Sequence, residues 1–170
     1  MNTLTLFLTV LATVFIAEMG DKTQLMLIAM TSKYKIRQII AGTAAAILVL
    51  NALAVLAGGI LNEFLKSNLW VIKLIACAAF FYFSLTSLIK DDDEEDAKHS
   101  RFNFAPLAVF ATFFVAELGD KTQLTAITFG ATNGLNSSSV AIWFASSIGL
   151  FAADIIGLLV GHFLRGKTPD

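Results

Sequence analysis

The chain has 170 residues, of which 56% are hydrophobic and 15% charged, with a mean hydropathy of +0.74 and a formal net charge of -1. An ordinary soluble domain is about a quarter charged and a nucleic-acid binder carries a basic excess, so both classes are excluded, together with a disordered chain. One cysteine, Cys77, within an apolar run excludes a disulfide framework and a thiolate metal cluster, which leaves an all-α integral membrane protein.

A helix needs about 20 mostly apolar residues to cross the hydrocarbon core. Five segments reach that length: residues 4–30, 39–61, 69–89, 104–129 and 140–164. The first and fourth carry polar islands at their middles. The second contains Asn51, the third Lys73 near its start, and the fifth Asp154. The runs are continuous and too long for the alternation of a membrane barrel strand. Met1-Asn2-Thr3 has no basic region, so no signal peptide is expected. The sequence predicts a polytopic protein of five transmembrane helices.

The loops set the orientation. With five crossings, Lys33, Lys35, Arg37, Lys90, Lys98, Arg101, Arg165 and Lys167 share one side, against Lys66 and Lys73 on the other. The positive-inside rule then puts the N-terminus outside and the C-terminus in the cytoplasm. Trp70 and Trp143 fall near the outer interface, where aromatic belts form. The acidic run at 91–96 weighs little in this rule and is read as a solvated linker, with His99 beside it. Lys73 is expected to snorkel, and His162 to pack near the cytoplasmic end of its helix.

The polar islands repeat. Ala17-Glu18-Met19-Gly20-Asp21-Lys22-Thr23-Gln24-Leu25 returns as Ala116-Glu117-Leu118-Gly119-Asp120-Lys121-Thr122-Gln123-Leu124, identical at eight of nine positions and offset by 99 residues. More weakly, Asn51 aligns with Asp154 and Gly58 with Gly161. Three crossings separate the copies, so the second runs opposite to the first. The expected organisation is an inverted repeat: residues 1–89 with three helices, an acidic cytoplasmic linker at 90–103, and residues 104–170 with two. Such repeats hold transport sites at their interface near the membrane midplane.

Glutamate, aspartate and lysine at a helix centre cost about 2.5–3.5 kcal/mol each on the insertion scale, or roughly 8–10 kcal/mol per island. The islands must therefore face one another, a cavity or an ion. On a continuous helix Glu18 would share a face with Asp21 and Lys22, and Glu117 with Asp120 and Lys121. If the islands meet, four carboxylates converge with two charge-balancing ammonium groups, Lys22 and Lys121, and the deficit matches a divalent cation. All donors are oxygen, with Thr23, Gln24, Thr122 and Gln123 as neutral support. That favours hard or borderline-hard ions such as Mn2+, Ca2+ and Mg2+. Met19, Met26 and Met30 are read as packing, since Met19 is replaced by Leu118 in the second copy. Gly20 and Gly119 permit either close helix approach or a break exposing backbone carbonyls. Asp154, opposite Asn51, is a separate intramembrane acid, expected on a proton or ion pathway.

Twin Glu-x-Gly-Asp-Lys-Thr motifs in two opposed hydrophobic halves closely resemble the calcium/cation antiporter-2 family. That family includes bacterial manganese exporters and Golgi manganese/calcium–proton exchangers, and the resemblance covers nearly the whole chain. It implies that Glu18, Asp21, Glu117 and Asp120 bind the cation, assisted by Thr23, Thr122, Gln24 and Gln123. It further implies exchange of Mn2+ or Ca2+ for protons, and a chain of this size looks like the manganese-export branch of the inner membrane. Family members usually have six helices. Here a partner for the third segment is not seen, a gap with which a homodimer is compatible.

The function expected is Mn2+ export from the cytoplasm in exchange for protons, by rocking of one half against the other. Protons from outside would refill the acids once the metal has left. The alternatives are a Ca2+/H+ exchanger and a passive divalent-cation channel, the latter disfavoured by lysines inside the islands. An intramembrane aspartyl protease would show Gly-x-Gly-Asp, whereas here Glu stands two residues before each Gly; a non-transporting assembly subunit would tolerate loss of all four acids. An enzyme is not expected, nor a cofactor beyond the transported Mn2+ or Ca2+. The expected partners are the divalent metal ion, protons and the lipid bilayer, with no nucleic acid.

Overall fold

The computed structural model describes residues 2–89 and 104–165. Among these, seven α-helices and a single 3-10 turn (Lys66–Asn68) account for the regular structure, and no strand occurs. In chain order the helices are α1 (Thr3–Glu18), α2 (Lys22–Met30), α3 (Ile36–Leu65), α4 (Leu69–Ile89), α5 (Ala105–Glu117), α6 (Lys121–Asn133) and α7 (Ser137–Arg165). The acidic run at 91–96 with His99, Lys90, Lys98, Arg101 and Lys167 lies outside the described residues, as do the side chains of Lys66, His162 and Arg165.

Two helices, Ile36–Leu65 and Ser137–Gly161, are by themselves long and apolar enough to cross a membrane. Thr3–Glu18 with Lys22–Met30 supplies a third span if the pair is counted as one, although the two axes differ by 71°. The first segment is thus a broken rod and not a continuous one, and the fourth is divided at the equivalent place. The cause is local. Gly20 has φ +83° and Gly119 φ +85°, values at which a right-handed helix cannot continue. Asp21 and Asp120, in extended conformation, then open α2 and α6. Glu18 and Asp21 consequently do not share a helix face, as a continuous helix would have required. They sit on either side of a corner.

The helices pair crosswise. α3 packs along α5 and α6, and α7 packs along α1 and α2, while α3 and α7 also touch each other. Small residues at every fourth position make both approaches close, as expected where helices pack by van der Waals contact without a hydrophobic drive. On α7 the row is Gly149, Ala153, Gly157 and Gly161; on α3 it is Gly42, Ala46, Ala54 and Gly58, interrupted once by Leu50. A Cβ on Gly149 would strike the Leu11 carbonyl of α1, and one on Gly161 the side chain of Ile28 in α2. A Cβ on Gly42 would strike the Pro106 carbonyl of α5, and one on Gly58 the Ile127 carbonyl of α6. Ile28 and Ile127 are equivalent in the repeated motif region, as are Gly161 and Gly58, so equivalent residues meet in both halves, through the side chain of Ile28 and the backbone of Ile127. The buried filling between the rows is Leu6, Val10, Val14, Leu27, Ile39, Ile47, Val109, Phe113, Ile142 and Leu150.

These glycines act for different reasons, and substitutions separate them. At Gly58 the obstacle is the backbone of α6, which has little freedom to move aside. Gly58→Ala is expected to destabilise by about 1–3 kcal/mol, the usual cost of overpacking, read as a lowered melting temperature of the detergent-solubilised protein. At Gly20 a Cβ meets nothing within 4 Å, so only the backbone angle is at stake. Gly20→Ala is expected to cost about 1–2 kcal/mol, and Gly20→Asn less, because Asn tolerates positive φ. Equal losses from Ala and Asn would mean that the angle is not the constraint.

Candidate cation-binding site

The two breaks bring four helix ends together. Glu18 is the last residue of α1 and Glu117 the last of α5, each at a C-terminus whose final carbonyls have no intrahelical donors. Asp21 and Asp120 stand at the N-termini of α2 and α6, where the backbone dipole favours negative charge. Half-helix ends of both polarities are what intramembrane ion sites are commonly built from.

Carboxylate oxygens of Glu18, Glu117 and Asp120 lie within 4.8 Å of one another. Oxygens around one Ca2+-sized ion at about 2.3–2.6 Å can be up to roughly 5 Å apart, so the three can share an ion. Glu18 is 0% exposed and Glu117 2%. Asp21 joins the group through an ion pair between the two motifs: Lys121 Nζ is 2.8 Å from Asp21 Oδ1 and 4.0 Å from Asp120 Oδ2. Lys22 is exposed and forms no such pair among the described residues.

The neutral residues are engaged with the acids and with the break itself. Thr23 Oγ1 donates to Glu18 Oε1 at 2.9 Å, and Thr122 Oγ1 donates to Glu117 Oε2 at 3.4 Å. Both glutamines accept a backbone N–H across their own corner, Gln24 from Gly20 and Gln123 from Gly119. Gln24 goes further. Its Nε2 donates to the Glu18 carbonyl and to the Ala153 carbonyl of α7, each at 3.1 Å.

What remains is a set of buried oxygens with no hydrogen-bond partner among the described residues: Glu18 Oε2, Glu117 Oε1, Asp21 Oδ2 and Asp120 Oδ2. Each acid offers one. Uncompensated carboxylates in an apolar interior are costly, and a cation among them removes that cost. The donors are all oxygen, which suits a hard or borderline-hard divalent ion.

Asp154 is brought near this group but not into it. It is 0% exposed, and both its oxygens lack a hydrogen-bond partner among the described residues. It stands within electrostatic reach of Glu18, Asp21 and Glu117, outside the cluster of mutually close oxygens. Asn51 is elsewhere engaged, its Nδ2 donating to Ser147 Oγ of α7 at 3.3 Å. Two features escaped the sequence reading. The cross-motif pair of Lys121 with Asp21 has no signature in one dimension. The seat of Gln24 against α7 does have one, since Gly157 continues the four-residue row, and a Cβ there would meet the Gln24 side chain.

Comparison with known proteins identifies the family. The family model described as "Divalent cation/proton antiporter GDT1" matches residues 6–95 and 105–170. A "Putative manganese exporter" of Vibrio cholerae serotype O1 is 33% identical over 161 residues, covering 94% of this chain and 78% of that protein. The "GDT1-like protein sll0615" of Synechocystis sp. is 26% identical over 189 residues, covering 98% and 88%. No solved structure matches. The resemblance read from the twin motifs is borne out: the chain belongs to the divalent cation/proton antiporter GDT1 family.

Proposed function

We propose that this chain exports Mn2+ from the cytoplasm in exchange for protons, through a site made by Glu18, Asp21, Glu117 and Asp120. The observation that carries this reading is the close approach of carboxylate oxygens from Glu18, Glu117 and Asp120, with Asp21 tied to them through Lys121 and one buried oxygen of each acid left without a hydrogen-bond partner among the described residues. Membership of an antiporter family and likeness to a described manganese exporter support the exchange and the choice of metal. The all-oxygen donor set is equally compatible with Ca2+, so a Ca2+/H+ exchange is the second reading.

The proposed assembly is an inverted repeat of three and two transmembrane helices, N-terminus outside and C-terminus cytoplasmic, in the inner membrane. Each half contributes one broken span to the site. Thr23 and Thr122 act as positioning residues: each hydroxyl takes one oxygen of its glutamate and aims the other at the ion. Gln24 and Gln123 hold the corners that separate each Glu from its Asp. Lys121 supplies the charge that keeps Asp21 and Asp120 together when the metal is absent. A fixed ammonium within reach of two of the acids argues against a passive pore. Rocking of one half against the other exposes the site to each face in turn.

Proteoliposomes with an acidic lumen should accumulate external Mn2+ while protons leave. Glu18→Gln and Glu117→Gln proteins are each expected to fall to the level of empty vesicles; unchanged uptake would remove these residues from the site. Thr23→Val is expected to raise the KM for Mn2+ about tenfold, the lower end of what losing such an orienting contact costs, and Thr23→Ser to restore it. A panel containing Ca2+ under the same gradient ranks the two metals.

A further inference from the structure

We infer that Asp154 is the seat of the exchanged proton, a cation site separate from the metal site. This rests on the antiport reading above. Three observations carry it. First, Asp154 is fully enclosed, and neither carboxylate oxygen has a donor among the described residues. An ionised carboxylate left so in a membrane interior is strongly disfavoured, whereas one holding a proton is neutral. Second, the charges that reach it are of one sign: Glu18 at the end of α1, Asp21 at the first corner and Glu117 at the end of α5. Its repeat-equivalent on α3 is the neutral Asn51, and no ion pair forms to Asp154 among the described residues. Third, Asp154 is outside the close cluster of Glu18, Glu117 and Asp120 and, unlike Asp21, is not joined to it by a lysine among the described residues, so a metal can occupy that cluster without displacing a cation held here.

Charge counting gives the coupling. Four carboxylates and the inserted Lys121 leave the metal site with three negative charges, and a divalent ion leaves one. An ionised Asp154 is least tolerated beside the empty site with its three charges and better tolerated beside the loaded site with one, so metal and proton oppose each other. Asp154 therefore takes a proton from the outer face at Oδ1 or Oδ2 while the site is reset, and gives it up on the cytoplasmic side. No bond other than O–H forms or breaks. The position tolerates a neutral residue of the same shape, because its counterpart in the other half is an asparagine. The Gln24 bond to the Ala153 carbonyl ties the α7 segment bearing Asp154 to the first corner. Occupancy at Asp154 is thereby linked mechanically to the end of α1 that carries Glu18.

The test separates metal movement from proton coupling in the full-length protein. Wild-type and Asp154→Asn proteins are reconstituted and read in two assays. One is Mn2+ accumulation with external Mn2+ and an acidic lumen. The other is exchange of labelled for unlabelled Mn2+ with no pH difference. Asp154→Asn is expected to keep the exchange within about twofold of wild type and to lose at least tenfold of the gradient-driven accumulation. Asp154→Glu is expected to recover a measurable part of it. Accumulation by Asp154→Asn at the wild-type level overturns the inference. So does loss of metal exchange in a protein that stays monodisperse, because Asp154 would then serve the metal itself. If Asp154→Asn does not fold, Asp154→Ser is carried through the same two assays with the same criteria. Failure of the wild type to couple Mn2+ to protons strikes the parent reading; a difference confined to Asp154 variants bears on this one.

Discussion

Carboxylates inside an apolar bundle are tolerated only when something positive or protic meets them, and that constraint organises this molecule. Glu18 and Glu117 are buried among leucine, valine and phenylalanine, and each has a single hydroxyl donor for two oxygens. The remaining oxygens cannot face lipid, where several kcal/mol per group would be forfeited. They turn inward, across the bundle, towards the equivalent oxygens of the other motif. Crosswise packing of α3 on α5 and α6, and of α7 on α1 and α2, encloses them. The rows of glycine and alanine exist to let that packing come close enough to exclude lipid from the acids. On this account the apolar sequence around each motif serves the polar one within it.

The same constraint explains why the motif sits at a break. A continuous helix would leave its carbonyls and amides bound to each other, with only side chains to offer an ion. Ending α1 at Glu18 and restarting at Lys22 frees backbone groups of both signs beside the acids. It costs one positive-φ residue per motif, and Gly20 and Gly119 meet that need without steric conflict. The glutamine four residues later closes the corner through a bond to the glycine N–H in both motifs. Glu-x-Gly-Asp-Lys-Thr-Gln thus reads as a folding instruction as much as a list of ligands. The acid ends one helix, the glycine turns, the second acid opens the next, and the amide fastens the turn.

Much of this was legible in one dimension. The helical class, the three unbroken segments at 39–61, 69–89 and 140–164, and the repeated motif follow from hydropathy and identity alone, and helices occupy each of those places. The break was visible only as one of two roles a glycine could play. Hydropathy is blind to φ, so the continuous-helix geometry was expected to put Glu18 and Asp21 on one face. The threonines were read as further oxygen donors to a metal. In the structure their hydroxyls donate to the two glutamates, a direction that spacing does not encode. Lys22 and Lys121 are identical in sequence context, yet only Lys121 reaches across to Asp21. Which of two equivalent lysines inserts is a property of the assembled bundle, not of either segment.

Departures from the repeat carry as much meaning as its matches. On the proposed reading, metal coordination by two motifs calls for likeness, and there eight of nine positions agree. Exchange calls for a difference between the halves, because two interchangeable halves give no reason for proton and metal to use different residues. The differences are concentrated in the helices that follow. Asp154 stands against Asn51, and Gly157 admits Gln24 where the corresponding position in α3 is Ala54. α7 therefore has an acid and a bond to the first corner, and α3 has neither in the equivalent positions. On the proposed reading the duplicated motifs bind the ion. The single unpaired acid of α7 then makes release of the ion depend on a proton, because only there does one half hold a charge that the other cannot answer.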